Sequence, residues 1–152
     1  MNNAARFMGL VMMFVFGFVT IGHAASLDDS KALGKQAAAF AKANGREKAI
    51  AEMMNPKGKF VKGGLYVVLQ DTRGVVLANP MDPGRVGTHD LELKDVDGKP
   101  FIKEMIGIVK SKGSGWITYK WTNPATKKIQ LKKSWVQQVE GTDMYTLCGV
   151  FQ

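Results

Sequence analysis

Leu65-Tyr66-Val67-Val68-Leu69-Gln70-Asp71-Thr72-Arg73-Gly74-Val75-Val76-Leu77-Ala78 is the stretch on which the fold turns. Leu65–Gln70 and Val75–Ala78 are rich in β-branched and large apolar residues, and Asp71–Gly74 between them carries turn residues. The run predicts a β-hairpin. Upstream of it, Ser26–Met54 reads as helix: Ser26 or Asp28 can cap the start, acidic residues fill the first turn, and Leu33, Ala37, Phe40 and Ala41 recur at helical spacing. Asn44-Gly45 predicts an interruption. A further turn or two then runs through Ala49, Ile50 and Met53 until Asn55-Pro56-Lys57-Gly58 ends it.

Downstream, Asn79-Pro80 to Asp97-Gly98 is a loop punctuated by Pro80, Pro83, Gly84, Gly87 and Gly98. That is long for a connection in a small domain, and loops of this kind often bind or cover ligands. Pro100 opens the next helix, Phe101, Ile102, Met105, Ile106, Ile108 and Val109 supply its apolar face, and Lys110-Ser111-Lys112-Gly113 closes it. Three strand-like runs follow, Trp116–Trp121, Ile129–Val139 and Met144–Phe151. The order predicts an α+β domain: a five-stranded antiparallel sheet with a long N-terminal helix and a second helix, the helices packed mainly on one side.

The N-terminus has a different composition. One charge, Arg6, precedes Phe7–Ile21, which is uncharged and almost wholly apolar. This stretch is shorter than the ~20 residues that span a bilayer, and a basic start, an apolar centre and small residues form the layout of a secretory signal. Gly22 and Ala24 precede the Ala24/Ala25 bond at the spacing a signal peptidase needs, so residues 1–24 are expected to be removed. Residues 25–152 then form one domain, delivered to the periplasm. The alternative is retention of residues 7–21 as an inner-membrane anchor, the one route by which this chain would be expected to touch a membrane. A lipoprotein is disfavoured, because the single cysteine, Cys148, lies far from that site.

The chain has 21 Lys and Arg against 13 Asp and Glu, a net charge of +8. The lysines are scattered, with only Lys127-Lys128 and Lys132-Lys133 adjacent, so no nucleic-acid patch is expected. Cys148 has no partner for an internal disulfide and reads as a small buried hydrophobe.

The sequence offers no set of residues for catalysis. Beyond residue 24 there is one histidine, His89, so a two-histidine metal site is impossible within one chain. Asp95-Val96-Asp97-Gly98 superficially suggests a calcium loop. With Gly98 at the sixth position, however, Leu93 stands where an aspartate is required, and a turn into the following helix explains these acids better. No phosphate-binding glycine loop is present and no cofactor is expected.

Strand alternation sets Trp116, Thr118 and Lys120 on one face and Ile117, Tyr119 and Trp121 on the other. Lys132, Ser134 and Val136 share a face opposite Lys133 and Trp135. Aromatic walls with one or two cations are one way to hold a small carboxylate. On pattern alone, ordinary core packing is the stronger reading of these aromatics.

The hairpin, extended from Gly64 to Asn79-Pro80, resembles that of single Cache domains of the second type. Val86-Gly87, Asp95–Glu104, Gly113-Ser114-Gly115-Trp116-Ile117-Thr118-Tyr119-Lys120-Trp121, Asn123-Pro124 and Lys127-Lys128 follow in the family's order. The resemblance implies a PAS-like sheet outside the bacterial cytoplasmic membrane, binding small molecules, often short carboxylates, as in chemoreceptors and histidine kinases. It implies a ligand site at Tyr66, Trp116, Tyr119, Trp121 and Lys132, with Asn79 as a polar contact, and a small anionic metabolite as partner. Two positions depart from the pattern: Asn79 stands where the family often has histidine, and Trp135 where it often has tyrosine. With the sequence stopping at Gln152, a membrane-bound receptor or kinase is expected to relay any signal. A second reading is an exported basic protein that docks on an acidic partner or membrane headgroups without using its pocket.

Overall fold

The computed structural model describes residues 24–152; residues 1–23 of the expected export segment lie outside the described residues. Helix α1, Leu27–Asn44, starts at a reciprocal cap. The Ser26 Oγ accepts the Asp29 N–H at 3.0 Å, and the Ser26 N–H donates to the Asp29 carboxylate at 2.9 Å. Gly45, with φ at +82°, ends α1, and α2, Arg46–Met54, starts on its far side. The interruption expected at Asn44-Gly45 is present and divides the region into two helices, because the backbone at Gly45 enters a region costly for residues with a Cβ.

Six strands follow: β1 Val61–Lys62, β2 Leu65–Asp71, β3 Val76–Ala78, β4 Ser114–Thr122, β5 Ile129–Gln138 and β6 Met144–Phe151. A 3₁₀ turn, Pro83–Arg85, interrupts the long loop, and α3, Phe101–Lys112, precedes β4. The sheet is antiparallel, in the order β1-β2-β6-β5-β4, with β3 also paired to β2. The five expected strands are present. The sixth, β1, is two residues long, too short to leave a period in the sequence.

The helices do not gather on one face, which corrects that expectation. All seven residues of β2 are buried, as in a strand covered on both sides. On one face, Leu33, Ala37, Ala41 and Met53 of α1 and α2 pack against Val67, Leu69 and Cys148. On the other, Phe101, Ile102, Met105 and Ile106 of α3 pack against Tyr66, Val68, Tyr119 and Leu147. α3 ends at Gly113, whose left-handed conformation (φ +74°) returns the chain directly into β4. Pro100 stands just before the helix as its cap, one position earlier than expected. Among the described residues no helix is long and apolar enough to cross a membrane.

Candidate functional site

The long loop folds back against the outer side of β3. The Val76 N–H donates to the Thr88 carbonyl (3.1 Å), the Gly87 N–H to the Val76 carbonyl (2.8 Å), and the Asp90 N–H to the Gly74 carbonyl (2.7 Å). Its far end is fastened to β4. Asp95 takes the Asp97 and Lys99 N–H groups on one carboxylate oxygen and the Lys120 N–H on the other, each at 3.0 Å. These backbone donors hold its carboxyl below the ordinary carboxylate value. One oxygen therefore serves the turn and the other ties it to β4. The Lys99 ammonium adds a bond to the Thr118 carbonyl at 2.7 Å.

Between this loop, α3 and the sheet lies a cavity of about 40 Å³. Strand alternation aims Tyr66, Tyr119, Trp121 and Lys132 at it, and Asn79, Arg85, Asp90 and Phe101 complete its wall from the loop and α3. Phe101 stacks on Tyr119, ring centres 4.5 Å apart with planes 2° from parallel, and meets Trp121 edge-on at 5.5 Å. The Tyr119 hydroxyl shares a hydrogen bond with Ser134 at 3.2 Å, and burial pushes its pKa upward.

Lys132 is the distinctive group. It is 3% exposed, and its ammonium donates to the Tyr66 hydroxyl at 2.9 Å. It also lies over the Tyr66 and Phe151 rings, at 4.3 and 4.8 Å from their centres. No carboxylate among the described residues pairs with it. Desolvation pushes its pKa from 10.5 down to about 8, so the group is still mostly a cation at neutral pH. The same burial raises the Tyr66 hydroxyl to about 12, which keeps it a neutral partner.

Five of the six residues expected at the site thus meet around one cavity: Tyr66, Asn79, Tyr119, Trp121 and Lys132. Asn79 is partly committed, since its side-chain oxygen accepts the Met81 and Asp82 N–H groups at 3.1 Å each and shapes the loop's first turn. Trp116 is the correction. It meets Trp135 edge-on at 5.2 Å, and Trp135 lies beneath the Lys31 ammonium of α1, on the sheet face away from the cavity. Period-two alternation requires this, because Trp116 and Trp121 are an odd number of residues apart. Trp135 consequently has no bearing on the cavity, although it departs from the family pattern. Cys148 is buried on the α1 face, and desolvation raises its thiol to about 12.

Arg85 and Asp90 were not among the expected site residues. The Arg85 guanidinium bonds the Asp90 carboxylate at 2.6 Å and lies 5.2 Å from the centre of the Trp121 ring. The only hint in the sequence is that both belong to a long, glycine-punctuated loop.

The family model described as Single Cache domain 2 matches residues 31–152. An 86-residue stretch is 33% identical to the sensor histidine kinase MctS of Rhizobium johnstonii, covering 57% of this chain and 18% of that protein. The chain therefore spans less than a fifth of the kinase it matches. Among solved structures, one described as a periplasmic sensor domain of a chemotaxis protein superposes with a TM-score of 0.66 at 21% identity, covering 82% of this chain and 88% of that one. A second, described as showing carboxylic acid recognition by a Cache chemosensory domain, gives 0.64 at 24% identity, with 82% and 86% covered. A methyl-accepting chemotaxis protein of Vibrio parahaemolyticus gives 0.68 at 15% identity, also with 82% and 86% covered. These likenesses establish the PAS-like fold.

Proposed function

The chain belongs to the single Cache domain 2 family, and we propose that it is an extracytoplasmic sensing domain whose cavity takes a carboxylate of two or three carbons. The observation that carries this reading is Lys132, a buried ammonium on the cavity wall with no carboxylate of its own. A buried charge without a counter-ion is costly, and a ligand carboxylate would relieve that cost through a charge-assisted hydrogen bond. Tyr66 orients the ammonium, while Phe101, Tyr119 and Trp121 exclude water around the pair. Among the structural relatives, the one described by its carboxylic acid recognition agrees with this chemistry.

The size of the cavity narrows the class. At ~10–15 Å³ per water-sized position, about 40 Å³ holds roughly three such positions. That suits a carboxylate bearing one or two further carbons, and it is far below the ~300–1,000 Å³ of drug-sized pockets. The loop would form the lid, tied down at both ends. A membrane-bound receptor or kinase would read its state, as the partial match to a sensor kinase suggests.

The test is calorimetric titration of the purified domain with acetate, propionate and pyruvate. Saturable one-to-one binding by at least one of them, abolished by Lys132→Met in a folded variant, is the expected result. Absence of binding by all three, or binding untouched by Lys132→Met, would overturn the reading. Salt-sensitive adhesion to acidic surfaces in the absence of any carboxylate binding would instead favour a docking protein.

A further inference from the structure

The charges around the cavity do not simply add up to a strongly basic pocket. Two cations line it, Lys132 from β5 and Arg85 from the loop, together with one anion, Asp90. Asp90 is 7% exposed, and both its oxygens are engaged: one takes the Arg85 guanidinium at 2.6 Å, the other the Thr88 hydroxyl at 2.9 Å. Its own N–H is fixed to the Gly74 carbonyl at 2.7 Å, at the turn of the first hairpin. Asp90 is therefore tethered to the sheet, and it holds Arg85 in turn. A further acid, Asp82, sits on the same loop close enough to raise the Tyr66 pKa, and it adds negative potential without lining the cavity.

We propose that Asp90 is a specificity residue: by neutralising Arg85 it leaves Lys132 as the one uncompensated cation of the cavity, so the site accepts monoanions and rejects dianions. The inference rests on the carboxylate reading and adds a charge rule to it. A monocarboxylate beside Lys132 makes a neutral cluster. A second carboxylate would have to share Arg85 with Asp90, or stand uncompensated in a desolvated site near Asp90, where like charges repel strongly. Specificity would then come partly from a repulsive element built into the loop. Phe101 and the aromatic walls would reject larger diacids on size alone, so the charge rule is best tested with a small one.

Oxalate and pyruvate make that test, because they have the same number of non-hydrogen atoms and similar planar shapes but differ in charge at pH 7. Calorimetry would give the affinity of oxalate relative to the tightest of acetate, propionate and pyruvate, in wild type and in Asp90→Asn. The wild type is expected to bind oxalate at least about tenfold more weakly, and Asp90→Asn to shift the ratio toward oxalate by about ten- to a hundredfold. With pyruvate as the reference, any loosening of the loop weakens the two equal-sized ligands alike and cancels in the ratio. The double variant Arg85→Gln/Asp90→Asn, which removes the pair together, should restore the wild-type preference, and Asp90→Ser provides the single-variant comparison if Asp90→Asn does not fold. Monocarboxylate binding with an unchanged ratio in Asp90→Asn, or a double variant that prefers oxalate, would overturn the charge rule alone. Equal binding of oxalate and monocarboxylate by the wild type would do the same. Absence of all carboxylate binding in the wild type would overturn the functional reading and the charge rule together.

Discussion

Replacing Lys132 with methionine should make the empty domain more stable while removing its function. The ammonium is 3% exposed and its pKa is pushed from 10.5 to about 8 by desolvation. Holding it charged at pH 7 therefore costs the folded state about 3 kcal/mol relative to the unfolded chain. Methionine matches the length of the lysine stem and carries no charge. The substitution does leave the Tyr66 hydroxyl without its partner, a loss of roughly 1–2 kcal/mol. The net expectation is a gain of about 1–2 kcal/mol, or a rise of several degrees in melting temperature for a domain of this size. Urea denaturation at pH 7 without added carboxylate would measure it, with the slope of the transition checked for constancy. A loss of 1 kcal/mol or more at unchanged slope would refute the claim that the charge is held at a cost, and Lys132 would then be a stabilising core residue. A trade of stability against binding is common where a site stores an unpaired charge.

Other outcomes follow from the same geometry. Between pH 8 and 9 the unfolded chain holds the Lys132 proton more tightly than the folded one, so stability should rise with pH in that interval. Above pH 9 the unfolded chain releases the Cys148 proton and then the Tyr66 proton, both of which the folded state keeps up to about 12, and together these outweigh the Lys132 effect, so the trend should reverse. A stability curve by denaturation at each pH should peak between about pH 9 and 10, and the rise should vanish in Lys132→Met. Trp116→Ala should cost about 1–2 kcal/mol through its edge contact with Trp135. It should leave carboxylate affinity within about twofold by calorimetry, because the residue faces away from the cavity. Gly149→Ala should destabilise by about 3 kcal/mol or prevent folding, since its Cβ would stand 2.1 Å from the Ser134 Oγ and 2.6 Å from the Lys133 carbonyl oxygen; circular dichroism melting would show it.

Much of the fold is legible because it is periodic. The hairpin announces itself through Leu65–Gln70 and Val75–Ala78, and α1 through its alanine-rich spacing and the cap at Ser26. The continuous apolar run of β2 also states that both sheet faces are covered, a sign that competes with the simpler picture of one helical layer. Trp116 shows the opposite lesson. Alternation separates it from Trp121, and grouping the two by their aromatic character ignores a rule under which one step along a strand reverses the face. Lys132 and Ser134 are correctly paired by that rule, but nothing in the pattern reveals that Lys132 is buried and without a carboxylate. Arg85 and Asp90 could not be paired from the sequence. Their contact depends on the 3₁₀ turn at Pro83–Arg85 and on the Asp90 tether to Gly74, and neither leaves a periodic signal.

The central claim, that a carboxylate binds by pairing with the Lys132 ammonium, is tested most directly by counting protons. At pH 9 a lysine with a pKa of about 8 is roughly nine-tenths neutral when the cavity is empty. A bound carboxylate must recharge it. Calorimetric titration of the tightest-binding monocarboxylate in buffers of different ionisation enthalpy should show uptake of about 0.9 proton per ligand at pH 9 and almost none at pH 6.5. Equal proton uptake at the two pH values would contradict the account, because the ligand would then be bound without the charge of Lys132.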